Sequence, residues 1–164
     1  MWRQLAIAAA VLIAACGAPS TPVPIAGTTT DLQSLAGEWT GEYSSTETGR
    51  SGSIVFRLTA GTDSATGDVM MGPQGGGAAR GPGVSTTPEG ARPPQVLTIR
   101  FVRVEGGRVS GRLDPYVELE CACTLFTVFN GELKGDTLSG NYTSRLQTTG
   151  QEQHGRWTVT RRSP

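Results

Sequence analysis

The stretch FNGELKGDTLSGNY (residues 129–142) contains the pattern that decides the fold. On each side of its central KGD turn, a glycine stands between two apolar residues that are each two positions away. Residues two apart share one face of a strand, so Gly131 and Gly140 are predicted to lie on the apolar side. An inward glycine weakens a strand unless the sheet bends sharply or a side chain passes close to the backbone, as in a small closed barrel. The stretch therefore predicts a hairpin in a strongly curved sheet.

The same arrangement of a glycine between two apolar residues occurs around Gly41, Gly67 and Gly111. Segments of alternating polarity, separated by glycine-containing turns, predict about eight strands. They cover residues 37–44, 53–60, 64–71, 96–104, 107–113, 119–133, 136–146 and 154–161. We therefore expect an all-β domain over residues 31–164, folded as a single antiparallel up-and-down β-barrel, because closure removes the exposed edges of a sheet.

Two motifs add a family resemblance to this pattern. The segments GEWTGEY (residues 37–43), which follows a predicted helical turn, and TLSGNYTS (residues 137–144) resemble strands of the lipocalin-like and avidin-like barrels, together called calycins. The resemblance covers residues 31–162. In lipocalins the tryptophan of the first strand packs beneath an arginine of the last, so the resemblance implies a contact between Trp39 and Arg161. It implies no particular ligand residues.

Seven aromatic residues lie at inward positions of the predicted strands. They are Trp39, Tyr43, Phe56, Phe101, Phe129, Tyr142 and Trp157. In one interpretation they line an interior that binds one small apolar or amphipathic molecule. In the other they simply fill the barrel, whose outer surface binds an envelope protein. The resemblance favours the binding interpretation, because calycins often bind ligands.

The first fifteen residues are typical of a signal peptide. Arg3 precedes an apolar segment over residues 5–15, which is shorter than the ~20 residues that a membrane-spanning helix needs. The sequence IAAC (residues 13–16) then resembles the lipobox of bacterial lipoproteins, so Cys16 is predicted to be lipidated, with acyl chains such as palmitate. The alternative is an ordinary secretory signal with a chance cysteine.

Residues 16–30 are rich in proline, threonine and glycine and are predicted to form a flexible tether. Gly17 follows the lipobox cysteine, where aspartate would retain a lipoprotein in the inner membrane. The sequence therefore predicts an exported protein whose acyl chains bind the membrane. We expect it in the outer membrane, facing the periplasm, of a cell that has one.

A long insertion over residues 72–95 interrupts the strands, and twelve of its twenty-four positions are glycine or proline. Loops of this length and composition are commonly disordered or functional. The insertion is therefore either a disordered loop in solvent or a lid over one end of the barrel, in which Arg80 and Arg92 contact an anionic ligand or partner.

Cys121 and Cys123 are the remaining thiols. In a regular strand they would share one face about 6.5–7 Å apart, so a disulfide requires a local bend. Buried free thiols, a disulfide and a metal or redox site are the three alternatives. The sole histidine, His154, is predicted to face solvent because it alternates with Trp157 and Val159, which counts against a zinc site. We expect no metal and no cofactor.

Other function classes have little support in the sequence. Fourteen basic and fourteen acidic residues balance, so the chain has no net field to attract nucleic acid. Glu118 and Glu120, like Glu38 and Glu42, occupy predicted outward positions and do not form a glycosidase pair. A single histidine without a Gly-x-Ser-x-Gly motif argues against a serine hydrolase. The sequence therefore favours a protein that is not an enzyme.

Overall fold

The computed structural model describes residues 21–59, 63–71, 95–118 and 121–162, without the side chains of Met71 and Phe101. The predicted signal peptide, Cys16, Glu120 and residues 72–94 of the insertion lie outside the described residues. Within them, one helix and ten strands follow one another: β1 (Val23–Ala26), α1 (Thr29–Leu35), β2 (Gly37–Ser44), β3 (Ser51–Leu58), β4 (Ser64–Met71), β5 (Gln95–Glu105), β6 (Arg108–Leu113), β7 (Tyr116–Glu118), β8 (Cys123–Lys134), β9 (Thr137–Leu146) and β10 (Glu152–Arg161).

Eight of the strands form a closed antiparallel ring. Each of β2 to β5 pairs with the next strand, β6 pairs with β8, and β8 to β10 continue the meander. β10 then pairs with β2, where Arg161 is the register partner of Trp39. The predicted all-β, up-and-down barrel is confirmed.

Strand β1 enters this ring as an additional element and makes the barrel mixed. β4 and β5 pair with each other only near one end, from Asp68 opposite Thr98 onward. At the other end β1 lies between them, antiparallel to β4 and parallel to β5. Its side chains Val23 and Ile25 are only 2% and 4% exposed. The prediction of a flexible tether through residue 30 is therefore wrong for these residues, since the gap between β4 and β5 supplies both the hydrogen-bond partners and the burial.

The predicted strand over residues 119–133 is also corrected. The chain forms the short strand β7 first, turns at Cys121 and Ala122, and then runs back along β7 as β8. Ala122 adopts a left-handed conformation with φ of 50°, which ends a regular strand. The other predicted strands agree with the observed bounds within two residues.

Helix α1 covers one end of the barrel, which we call the closed end. The Thr28 hydroxyl caps the helix by accepting from the Asp31 amide, and Leu35 is completely buried. The indole N–H of Trp39 donates to the Leu35 carbonyl oxygen over 2.8 Å. Above the indole ring lies the Arg161 guanidinium, 4.4 Å from the ring centroid. The predicted contact between Trp39 and Arg161 is confirmed.

The inward glycines allow the Trp157 ring and the facing strand to approach the backbone closely in the curved wall. A Cβ on Gly131 would lie 2.5 Å from the ring of Trp157, and a Cβ on Gly140 would lie 2.5 Å from the Gly131 Cα atom. The Trp157 ring therefore packs directly on the backbone, where its N–H donates to the Asn130 and Asn141 carbonyl oxygens. In the described ranges, no helix is long and apolar enough to span a bilayer.

Candidate functional site

A cavity of about 100 Å³ extends from the barrel interior toward the end opposite α1, which we call the open end. Its deep part is bounded by apolar side chains, including Val109, Leu138 and Val159. Its outer part is bounded by Ser45 and Thr48, from the segment between β2 and β3. The volume is smaller than the ~300 Å³ at which drug-sized ligand pockets begin.

Five of the seven predicted aromatic residues line this cavity: Tyr43, Phe56, Phe129, Tyr142 and Trp157. Tyr43 contacts Tyr142 edge to face with ring centroids 5.8 Å apart, and Phe129 contacts Trp157 in the same way over 5.8 Å. Such contacts fix the ring orientations. Trp39 does not line the cavity, because it packs under Arg161 at the closed end. The side chain of Phe101 lies outside the described residues.

Two phenols of the cavity wall are held in their neutral form. Burial raises the pKa of Tyr43 far above its ordinary value of 10.0. Burial also raises the pKa of Tyr142 to about 12, although a hydrogen bond with Ser45 opposes part of this shift. The Tyr43 hydroxyl oxygen is buried and has no hydrogen-bond partner among the described residues. A polar group in such a position is uncommon in folded proteins.

A buried ion pair at the open end was not predicted. Arg50, which lines the cavity, contacts the Glu118 carboxylate over 2.6 Å, and the two side chains are only 11% and 7% exposed. The second Glu118 oxygen accepts from the Cys121 amide over 3.0 Å. The prediction that Glu118 faces solvent is wrong, because it assumed a regular strand through residue 121. Arg50 lies in the turn segment before β3, where no alternation of polarity predicts which side chains are buried.

Three hydroxyl-bearing residues form a second polar feature of the wall. The Thr127 and Ser144 hydroxyls lie 2.6 Å apart, and the Tyr116 hydroxyl lies 3.3 Å from Thr127. Thr127 and Ser144 are 5% and 3% exposed. Their inward position follows from the strand alternation of β8 and β9, which was the available sequence signal. The wall therefore combines an apolar depth with hydroxyls nearer the open end.

Cys121 and Cys123 are joined by a disulfide in the structure. Their Cα atoms are 5.1 Å apart, closer than in a regular strand, because Ala122 bends the chain. The ligand atoms of Glu118, Cys121 and Cys123 all lie within 4.8 Å of one another. With the sulfurs bonded together and the carboxylate paired with Arg50, this group offers no thiolate to a metal ion.

The remaining polar candidates lie on the outer surface. His154 has a side chain that is 55% exposed, and its Nδ1 atom lies 3.4 Å from Glu47. Glu38 contacts Arg57 and Arg162 over 2.9 and 2.8 Å. The Arg57 guanidinium, followed by that of Arg162, holds the pKa of Glu38 below its usual value. These groups surround no described cavity and are explained as surface ion pairs.

No protein-family model, no curated protein and no solved structure matches this chain. The closed barrel is compatible with a calycin-like fold. The structure therefore defines a small closed β-barrel with an internal, mainly apolar cavity.

Proposed function

We propose that this protein is a lipid-anchored envelope protein whose barrel binds a small apolar or amphipathic molecule. The observation that carries the proposal is the cavity of about 100 Å³, with apolar side chains in its depth and polar side chains toward the open end. A wall that is apolar in depth and polar at its rim suits a ligand with the same division.

The size of the cavity limits the ligand. An apolar cavity of roughly 150 Å³ in an engineered protein binds benzene, and the present volume of about 100 Å³ is smaller, so it encloses at most a short alkyl chain or part of a ring. A longer molecule would leave its remaining part at the open end, against Thr48 and Gln153. The buried portion of the ligand is therefore expected to be small and to gain its affinity from contact with the aromatic rings.

The anchor and the location belong to the same proposal. The lipobox sequence before Cys16 supports acylation, and acyl chains would hold the protein on the membrane surface. The disulfide between Cys121 and Cys123 supports export, because disulfides persist in oxidising compartments such as the periplasm. We propose the periplasmic face of the outer membrane, in a cell that has one.

The ligand proposal is tested by native mass spectrometry of the full chain, isolated from its own envelope without denaturant. We expect an additional mass that disappears on denaturation. The variant Val109→Phe fills the cavity from a position that is 3% exposed and should lose this mass. The variant Val128→Phe adds the same group at a position that is 56% exposed and should retain it. A barrel that stays empty, also after incubation with envelope lipid extract, would contradict the proposal.

The anchor is tested separately by metabolic labelling with an alkyne analogue of palmitate. The full chain should incorporate the label, and Cys16→Ser should abolish it. The double variant Cys121→Ser/Cys123→Ser serves as the matched control and should be labelled like the unmodified protein. Labelling that survives Cys16→Ser would show that the lipobox interpretation is incorrect.

A second function is favoured by a different observation. Three apolar side chains are exposed on the adjacent strands β7 and β8: Val117 (49%), Phe126 (40%) and Val128 (56%). Val117 is the register partner of Thr124, which lies two residues before Phe126. Exposed apolar groups on adjacent strands suit contact with a protein partner. In this alternative the barrel is a structural module of the envelope. Val128→Lys would then weaken association with the envelope partner and leave any cavity ligand in place.

A further inference from the structure

We propose that the outer surface of β3, β4 and β5 contacts the lipid bilayer, through an apolar patch beside the strand that leads to Cys16. This inference rests on the proposed acylation of Cys16 and names the side of the barrel that then faces the membrane. Three exposed side chains form the patch, which we call the tether-side patch. They are Val55, Met70 and Val96, which are 47%, 46% and 58% exposed.

The register of the strands makes these three side chains neighbours. Met70 on β4 is the register partner of Val96 on β5, so the two side chains lie next to each other on the outer face. On β3, Ser53 is the register partner of Met70, and Val55 lies two residues further along the same face. Single exposed apolar side chains are normal on a protein surface, whereas contiguous ones mark interaction sites. The tether-side patch is therefore a candidate contact surface.

The opposite side of the barrel has a different character. In the ring of eight strands, β10 lies across the barrel from β5. The outward residues of β10 are all polar and exposed: Glu152, His154, Arg156, Thr158 and Thr160. The side that carries the patch is therefore better suited to a lipid surface than the side formed by β10.

The chain enters the barrel on the side of the tether-side patch. Val23 is the register partner of Ala65, and the antiparallel pairing directs the residues before Val23 along β4 toward Met70. Beyond this point β4 and β5 pair with each other, so the sheet offers no place to the preceding residues. Thr21 and Pro22 are accordingly exposed. The segment from Cys16 therefore reaches the barrel across its outer surface at β4 and β5.

The length of this segment keeps the patch close to the proposed anchor. Seven peptide units separate Cys16 from Val23, a reach of at most about 25 Å. Met70 lies five residues beyond Ala65, the register partner of Val23, which is about 17 Å along β4. A bilayer that holds the acyl chains of Cys16 is therefore within reach of the patch. Apolar side chains that enter the interface add to the membrane affinity of acyl chains in proportion to the area they bury.

The contact would also orient the cavity. Met71 and Gln95, which follow Met70 and precede Val96, form the last register pair of β4 and β5 at the open end. A barrel whose tether-side patch contacts lipid therefore has its open end beside the bilayer. An apolar or amphipathic ligand would then enter the cavity from the membrane surface.

The inference is tested with a fluorophore that responds to the polarity of its surroundings. The full chain with its acyl chains is placed in vesicles of phosphatidylethanolamine and phosphatidylglycerol. Val96→Cys carries the fluorophore in the patch, and Val128→Cys, at a position that is 56% exposed on β8, carries it as the matched control. Cys16 is then acylated, and Cys121 and Cys123 are joined, so the introduced thiol is the one that reacts.

We expect the two labels to respond differently to the vesicles. Emission from position 96 should shift to shorter wavelength, and it should be lost when the lipid acyl chains carry bromine as a quencher. Emission from position 128 should change in neither respect. Both labelled proteins should float with the vesicles in a density gradient, because the acyl chains hold them there.

A charge introduced into the patch provides a second measurement. Met70→Glu places a carboxylate beside the label at position 96, and its transfer into apolar surroundings is unfavourable. The loss of emission in brominated vesicles should therefore become smaller, although the protein still floats. Thr158→Glu adds the same charge on β10 and should leave the emission from position 96 as in the parent protein. If Met70→Glu does not fold, the comparison of positions 96 and 128 decides alone.

Four outcomes would overturn the inference. Protein that floats but shows no quenching at position 96 would show that the acyl chains alone make the contact, while the proposed anchor would stand. Protein that does not float would overturn both the anchor and the inference. A label at position 96 that is shielded before vesicles are added would assign the patch to another segment of this chain or to a second copy. Shielding in native envelope membranes but not in vesicles of lipid alone would assign it to a protein partner.

Discussion

The guanidinium of Arg161 lies over the ring of Trp39, 4.4 Å from its centroid, at the position where the last strand of the barrel pairs with the first strand of the ring. The same guanidinium donates to the carbonyl oxygen of Ser34 over 2.6 Å and to that of Ala36. One side chain therefore joins the strand that completes the ring to the helix that covers the closed end. Its planar group makes these contacts simultaneously, which an ammonium group does not.

Replacement of Arg161 by lysine should therefore destabilise the protein although the charge is kept. We expect a loss of about 1–3 kcal/mol in the free energy of unfolding, because the stacking and the paired donors are both lost. Arg162→Lys is the control, since Arg162 has a side chain that is 67% exposed and contacts Glu38; it should change stability by less than about 0.5 kcal/mol. Urea denaturation measures both, and equal effects would contradict the role assigned to Arg161.

Gly140→Ala tests the close approach of the strands in the barrel wall. The added Cβ would lie 2.5 Å from the Gly131 Cα atom, so the backbone must move, at a cost of about 3 kcal/mol. Gly135 has φ of 61°, and a Cβ added there would have no neighbour within 4 Å. Gly135→Asn should cost less than about 1 kcal/mol, because asparagine tolerates this conformation. Comparable losses of stability for the two variants in thermal unfolding would show that the lack of space for a Cβ atom at Gly140 does not determine the effect.

Loss of one partner of the buried ion pair between Arg50 and Glu118 should lower the stability of the protein. Glu118→Gln removes the buried negative charge that contacts Arg50 and is expected to lower the free energy of unfolding by about 3 kcal/mol. Asp114→Asn breaks the pair with Arg100, whose side chains are 42% and 56% exposed, and should cost less than about 1 kcal/mol. The double variant Arg50→Met/Glu118→Leu should recover part of the first loss in chemical denaturation. No recovery would mean that the pair itself stabilises the barrel.

The tyrosines predict a specific response to alkaline pH. The folded-state pKa values of Tyr43 and Tyr142 are raised, so the stability they provide is complete below pH 10.0 and is lost as the pH rises through about 12. Phenolate absorbance of Tyr116→Phe, which retains these two of the three tyrosines, should therefore appear above pH 10.0 in the folded state. In concentrated urea it should appear near pH 10.0. Identical titrations in the two conditions would contradict the burial of these phenols.

The barrel itself could be predicted because its strands are regular. Alternation of polarity places every second residue of β8 and β9 on the inner face and predicts inward positions for Gly131 and Gly140; the structure adds that these two residues are register partners. The same rule identified Tyr43, Phe56 and Trp157 as inward residues. The period of a strand is two in any sequence context, so this part of the prediction needed no knowledge of the tertiary fold.

The candidate site was harder to predict from the sequence, because it depends on positions where the regular alternation of a strand is interrupted. The left-handed conformation of Ala122 is rare for alanine, and no sequence signal marks it. It turns the chain so that Glu118 is buried against Arg50, which lies in a segment with no periodicity of its own. Strand β1 was missed for a related reason, since the gap that receives Val23 exists only in the assembled barrel.

Strand β1 also gives the wall a mechanical property. Seven peptide units separate Cys16 from Val23, a reach of at most about 25 Å, so tension on the proposed anchor at Cys16 would be transmitted directly to β1. Ile25 is the register partner of Val102, and Val102 lines the cavity. A pull that detached β1 would therefore open a slit between β4 and β5 beside the cavity. The chain would still connect the barrel to the membrane, because that connection is covalent, whereas the closure of the cavity wall would depend on the few backbone hydrogen bonds of β1.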